Sequence, residues 1–292
     1  MASLKEVKNR ISSIVSTQQI TKAMKMVAAA KLRKSQDKIV QMRPFAQKLG
    51  EVLQSVSGAG SDGQSWYNTV RENKRIIIVA VSGDRGLCGS FNSTVFKATL
   101  KLIQDKYKEQ HKHGDVTILP IGKKAYEYFK KRNYKIEDKF WSLFQDLTFD
   151  RTSEAAQFLM EAYKNEKVDK IEIIYNEFKN VATQILRVEQ FLPILPAEES
   201  EGSSNTDYIY QPDREEIVTG LIPKSLKVQL FKAVLDSNAA ENGARMTAMD
   251  KATDNAGEIL KELKLTYNRT RQAAITKEIL EIVGGAEALK AS

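Results

Sequence analysis

At 292 residues and 42% hydrophobic, the chain can bury a core as one large domain or two ordinary ones. Its longest apolar run is the six residues from Ile76, far short of a membrane span, and no secretory signal or transit peptide is visible at its start. Cys88 is the one cysteine and His111 and His113 are the only histidines, which excludes an internal disulfide and leaves metal chemistry and Cys–His catalysis poorly supplied.

The net charge of +8 is localised: residues 1–56 hold eleven Lys and Arg against Glu6, Asp37 and Glu51, so the rest of the chain is neutral. Such a segment suits an acidic partner, whether nucleic acid, membrane surface or protein, although a solvated helix face accounts for most of these lysines. The same segment carries a heptad pattern. Leu4, Ile11, Gln18, Lys25, Leu32, Ile39, Ala46 and Leu53 fall on one seam position. Val7, Ile14, Thr21, Ala28, Ser35, Met42, Leu49 and Val56 fall on the other. The spacing predicts a coiled-coil helix over 1–56, loosened or kinked at Pro44. Gln18, Thr21 and Lys25 are a polar interruption of the kind that fixes register.

Residues 57–74, rich in glycine and serine, read as a linker, and residues 75–196 as an α/β domain with a mostly parallel sheet. Strands are expected near 76–81, 116–121, 171–177 and 183–192, helices near 91–109, 122–132 and 152–165, and a further short strand within Tyr134–Trp141. The turn after the first strand, SGDRGLCGSFN (Ser82–Asn92), has the look of an anion cradle, since free N–H groups converge where a strand meets a helix N-terminus. Its spacing fits neither the P-loop nor the dinucleotide fingerprint, no lysine occurs between Arg75 and Lys97, and Asp84 would repel phosphate. The turn is therefore read as architecture, its glycines permitting a tight turn and close helix–sheet packing.

Residues 197–212 read as a polar connection and 213–292 as a second long helix. Met246, Met249, Thr253, Ala256, Leu260, Leu263 and Tyr267 share its seam; a slip of one residue near Thr270 is expected to carry the seam on through Ile275, Ile279, Ile282, Ala286 and Leu289. Gly243, Gly257 and Gly284–Gly285 each weaken a helix by about 1 kcal/mol relative to alanine. Two such helices flanking a folded insert predict a long antiparallel coiled coil carrying an inserted Rossmann-like α/β domain. The second helix is the longer. Past the first helix its apolar residues spread round too wide a surface to stand unpaired in water, so another molecule must cover it.

Four strings go further: TQQITKAMKMVAAAKLRKSQ (Thr17–Gln36), followed by Arg43 and Pro44; SGDRGLCGSFN; ARMTAMDKATDNAGEILKEL (Ala244–Leu263); and YNRTRQAAITKEILEIVGGAEA (Tyr267–Ala288). The last holds Ile275, Thr276, Glu278, Glu281, Gly285 and Ala286 in signature order. Along its whole length the chain resembles the gamma subunit of F-type ATP synthases. The resemblance implies a mechanical part, not a catalyst, with no cofactor. A coiled coil would sit inside the ring of alpha and beta subunits, and the α/β domain beside the epsilon subunit and the membrane rotor ring, one copy per complex. Proton or sodium flow turns such a shaft, which deforms each beta subunit in turn. The resemblance sets Lys22, Met24, Lys25 and Met26 against acidic C-terminal loops of the beta subunits. It sets Arg85 and Cys88 in a turn facing those loops and the epsilon side, and Arg271, Gln272, Thr276 and Glu278 at a catch loop of the ring. The paired cysteines of the chloroplast version are missing, so redox switching of that kind is excluded. The implied location is peripheral, on the cytoplasmic face of the bacterial inner membrane. A basic coiled-coil nucleic-acid-binding protein is the alternative. It explains the charge but not the Ile275–Ala286 motif, and the basic segment has no aromatic residue before Phe45 for base stacking.

Overall fold

The computed structural model describes residues 3–57, 66–194 and 214–291. The expected linker 197–212 lies wholly outside these residues, as do residues 58–65 of the expected 57–74 linker. Two compact units divide the chain, Met1–Val27 with Met246–Ser292, and Ala28–Arg245. Two helices run through both: α1 (Leu4–Ser57), continuous through Pro44, and α6 (Arg214–Ala291), continuous through Pro223 and every glycine named above. No helix among the described residues is long and apolar enough to cross a membrane.

In the first unit α1 and α6 pair antiparallel along the heptad seam. Val7 and Thr21 are buried and Leu4, Ile11, Ile14, Gln18 and Lys25 half-buried, while most residues between them face water. The polar interruption finds its counterparts on α6. The Thr21 and Thr253 hydroxyls share a 2.8 Å hydrogen bond, and Lys25 pairs with Asp250. Gly257 leaves room for the Gln18 amide, whose Nε2 would lie 3.2 Å from a β-carbon there. A polar layer placed one residue out of step would strand these groups against apolar neighbours, which is how such a layer sets register.

The second unit is a sheet of order β2-β1-β3-β4 among the described residues, formed by β1 (Ile76–Val81), β2 (Val116–Ile121), β3 (Lys170–Phe178) and β4 (Gln184–Leu192). β1 pairs parallel with β2 and β3, and β3 pairs antiparallel with β4. The run IIIVAV belongs at the centre because every one of its side chains is buried. Ile77, Val79 and Val81 point to one face, with α5 (Phe149–Lys164) and the Ile222–Val234 stretch of α6; Ile76, Ile78 and Ala80 point to the other, with α2 (Phe91–Lys106) and α4 (Lys123–Lys130). Within this unit α1 lies along α6, burying Ala28, Leu32 and Ile39, and the Ser35 hydroxyl donates to Asn238 Oδ1 at 3.4 Å.

Four expectations change. The helix expected over 91–109 ends at Lys106, and a short α3 (Lys108–Lys112) follows. Tyr107 leaves helical geometry to bury its ring, and its hydroxyl donates to Glu172 Oε1 at 2.8 Å. α5 begins three residues before Thr152, because the Thr148 hydroxyl caps it by accepting from the Arg151 N–H. The expected strand within Tyr134–Trp141 shrinks to one bridge, Ile136 to Ile118, since the chain then turns to bury Phe140 and Leu143. The described end of the expected 57–74 linker packs into the domain, where Tyr67 is buried and Trp66 stacks on it at 3.6 Å between ring centroids.

Candidate partner-binding surfaces

The turn from Ser82 to Asn92 commits several of its polar groups to its own unit. Ser82 Oγ accepts the Ala125 N–H and Asp84 Oδ1 the Lys123 N–H, at 2.8 and 2.9 Å, so two free amides at the start of α4 are taken. The Gly83 N–H donates to Asn92 Oδ1 at 2.8 Å, and the Gly83 carbonyl accepts from the Lys124 N–H at 3.2 Å. These bonds hold strand, turn and helix together. Gly122 closes the arrangement: at φ 101° it lies so near Ser82 that a β-carbon would stand 2.1 Å from that carbonyl oxygen.

Beneath the turn lies α6. Glu241 is buried, with its carboxylate against Gly83, and Arg245 Nη2 donates to Glu241 Oε1 at 2.6 Å. The same nitrogen lies 3.3 Å from the carbonyl oxygens of both Arg85 and Gly86. Burial raises the Glu241 carboxyl above the usual range, and Arg245 only partly opposes it.

Residues expected to touch partners divide into three groups. Arg85 is exposed on the turn, but Cys88 is 2% exposed, packed with Phe91 and Ala240. A partner cannot reach its thiol, whose pKa is raised by burial and then by Glu241, so Cys88 moves from contact residue to core. On α1, Lys22 and Met26 are exposed, Met26 at 62%, whereas Met24 and Lys25 are half-buried and Lys25 is engaged by Asp250. These four therefore present one outward pair and one pair shared with the seam. On α6, Arg271, Gln272, Thr276 and Glu278 are all exposed.

The last of these stand on a helix end with no cover from the chain's described residues. The seam does not slip at Thr270. It continues in step through Tyr267, Thr270 and Ala274, each half-buried, and then stops. Register explains the stop, because Thr21 faces Thr253, and counting back to Leu4 carries α6 on to about residue 270. Beyond it Ile275, Ile279, Leu280, Ile282 and Val283 are exposed, from 49% at Ile275 to 72% at Ile282. Leu289 lies outside the residues whose side chains are described.

Leu87 escaped the sequence reading. It holds a left-handed φ of 62° with its side chain 66% exposed, an uncommon conformation for a bulky residue. Glu241 and Arg245 escaped it too, although an i, i+4 pairing of opposite charges on one helix was a local signal.

The family profile described as ATP synthase matches residues 3–289. The ATP synthase gamma chain of Cytophaga hutchinsonii is 56% identical over 99% of both chains. The chain belongs to the ATP synthase gamma-chain family. The Flavobacterium johnsoniae gamma chain is 53% identical, again over 99% of each. Among solved structures, a chain of the Euglena gracilis mitochondrial ATP synthase OSCP/F1/c-ring assembly shares the fold with a TM-score of 0.69. The match is 21% identical and covers 99% of this chain and 95% of that one. A chain of the Tetrahymena thermophila central stalk/c-ring structure has a TM-score of 0.56 at 22% identity, covering 80% of this chain and 99% of that one. Membership makes this gamma chain the central rotor-shaft subunit of an ATP synthase, without a catalytic site of its own. It leaves the nucleic-acid reading without support.

Proposed function

We propose that this gamma chain passes torque to a ring of alpha and beta subunits through two surfaces, one copy serving each complex. The first is the basic face of α1, where Lys22 and Met26 stand outward beside Met24 and Lys25 and meet acidic loops of the beta subunits. Arg85 on the glycine turn faces the same loops. The second is α6 from Arg271 onward: Arg271, Gln272, Thr276 and Glu278 hydrogen-bond a catch loop, and Ile275, Ile279 and Ile282 turn in an apolar bearing. The α/β domain meets the epsilon subunit and the membrane rotor ring. The protein is peripheral, on the cytoplasmic face of the bacterial inner membrane.

The observation that carries this reading is the uncovered apolar helix end. Isolated helices of that length are marginal in water, and its residues leave a broad apolar surface exposed. Basic side chains on α1 add steering towards acidic loops. A structure of the assembled complex tests it. Ile279 and Ile282 are expected against alpha and beta side chains, with Lys22 within ion-pair distance of a beta carboxylate. Finding Ile279 and Ile282 packed on residues 4–27 would overturn the bearing.

A further inference from the structure

We propose that Glu241 and Arg245 form a latch that fixes the turn Gly83–Gly86 to α6, so that the α/β domain and the helix turn as one body. The proposal rests on the shaft role. It adds two positioning residues, which act on the contact surfaces only through the elements they join.

Much of the α6 contact with the domain is apolar. Ile222, Leu226, Leu230, Ala233 and Val234 lie against the sheet, and Ala240 against Cys88 and Phe91. Apolar burial is strong but non-directional, and small side chains such as alanine offer shallow relief against slip along or around a helix. A shaft under load needs something with a fixed direction. The Arg245 guanidinium supplies it, because one Nη2 faces three oxygens at once: Glu241 Oε1 on its own helix and the carbonyls of Arg85 and Gly86 across the contact. The Glu241 contact, at 2.6 Å, is a short charge-assisted hydrogen bond that holds the guanidinium in place, and the two carbonyl contacts, at 3.3 Å, are longer.

The turn is built to receive it. A β-carbon on Gly83 would stand 2.5 Å from Glu241 Cδ and 2.6 Å from Oε1, so the carboxylate occupies the space a side chain would need. Asn92 braces the loop from within, its Oδ1 taking the Gly83 N–H and its Nδ2 donating to the Arg85 carbonyl at 3.3 Å. Asp84 carries the load on to α4 through the Lys123 N–H. A buried pair is seldom retained for stability, since a well-packed apolar pair does as well or better; what it can add is a unique position. Arg245 is the last α6 residue of its unit.

The test uses the whole ATP synthase reconstituted in proteoliposomes with this gamma chain, comparing protons pumped per ATP hydrolysed. Arg245→Gln is expected to lower that ratio at least about threefold in assembled complexes while hydrolysis per complex changes less than about twofold. Arg245→Lys should recover part of the ratio, because one ammonium keeps the Glu241 pair but not the full set of carbonyl contacts. Gly83→Ala displaces the carboxylate without changing any charge and should reproduce the Arg245→Gln loss; it decides the matter if Arg245→Gln fails to assemble. An unchanged ratio in Arg245→Gln or Gly83→Ala overturns the latch. So does an equal fall in pumping and hydrolysis, which marks mere loss of fold. Either result leaves the shaft role standing, because that role is read from pumping by the unmodified complex.

Discussion

The turn Ser82–Asn92 and the helix end from Ile275 onward invite opposite mistakes. The turn has the glycines and strand-to-helix setting of a ligand site, yet Ser82, Gly83, Asp84 and Asn92 spend their polar groups inside the domain. The helix end has no site-like chemistry, yet five of its large apolar side chains face outward. Function is better sought in groups left unspent than in groups of the right type. A buried polar group without a partner costs stability, so a fold with time to settle pairs its donors internally; an apolar side chain left out is instead available to another molecule.

The sharpest way to break this contrast is to remove the end. A chain truncated before Ile275 is expected to keep the melting temperature of the full chain within about 2 °C, since the described seam stops at Ala274. Its hold on an alpha/beta ring should weaken by a factor of ten or more, about 1.4 kcal/mol, measured by dissociation of labelled shaft from assembled ring. Equal retention by both chains would show the exposed isoleucines to be idle.

On the other side of the contrast, Gly122→Ala should damage folding without reference to any partner. The new β-carbon meets the Ser82 carbonyl, and φ is 101°, so a loss of about 3 kcal/mol or more is expected in urea unfolding. A loss below about 1 kcal/mol would mean that the turn relaxes easily and is not a brace.

Gln272→Leu sharpens the comparison within the helix end. Gln272 is exposed, so the isolated chain should melt unchanged, while ATP synthesis by the complex should fall severalfold if its amide bonds a catch loop. Unchanged turnover would assign the end to apolar bearing alone.

The smallest effect concerns Glu241. Its carboxyl faces Arg245, with Asp84, Lys31 and Cys88 nearby, and burial raises its folded pKa above the unfolded value. The folded state therefore holds more protons than the unfolded state between those two pKa values, and this group's contribution to stability falls as pH rises through that window. Glu241→Gln should flatten the corresponding part of the stability–pH curve. An identical slope in both proteins would show that the carboxylate is fully compensated by its cation.

Much of the fold was legible because it is written in local repeats. The α1 heptads mark residues that prove buried or half-buried at every described seam position, and the run IIIVAV becomes the central strand. The polar break at Gln18, Thr21 and Lys25 announced a register device, though not its counterparts. Exposure of Ile279 and Ile282 was legible as well, since helix lengths fix where a partner runs out. The frame slip at Thr270 misled because an apolar residue in sequence looks the same whether or not a neighbour reaches it.

What the sequence by itself determined was which residues repeat: the seams, the strands, the basic segment and the motifs that carry the family resemblance. Only the tertiary structure decided that Cys88 is core, that Asp84 holds the start of α4, and that Glu241 fills the space beside Gly83. Periodicity acts over a few residues along one element, whereas Arg245 and Arg85 are 160 residues apart. Their meeting depends on how a sheet and a helix stack, and no spacing along the chain records that distance.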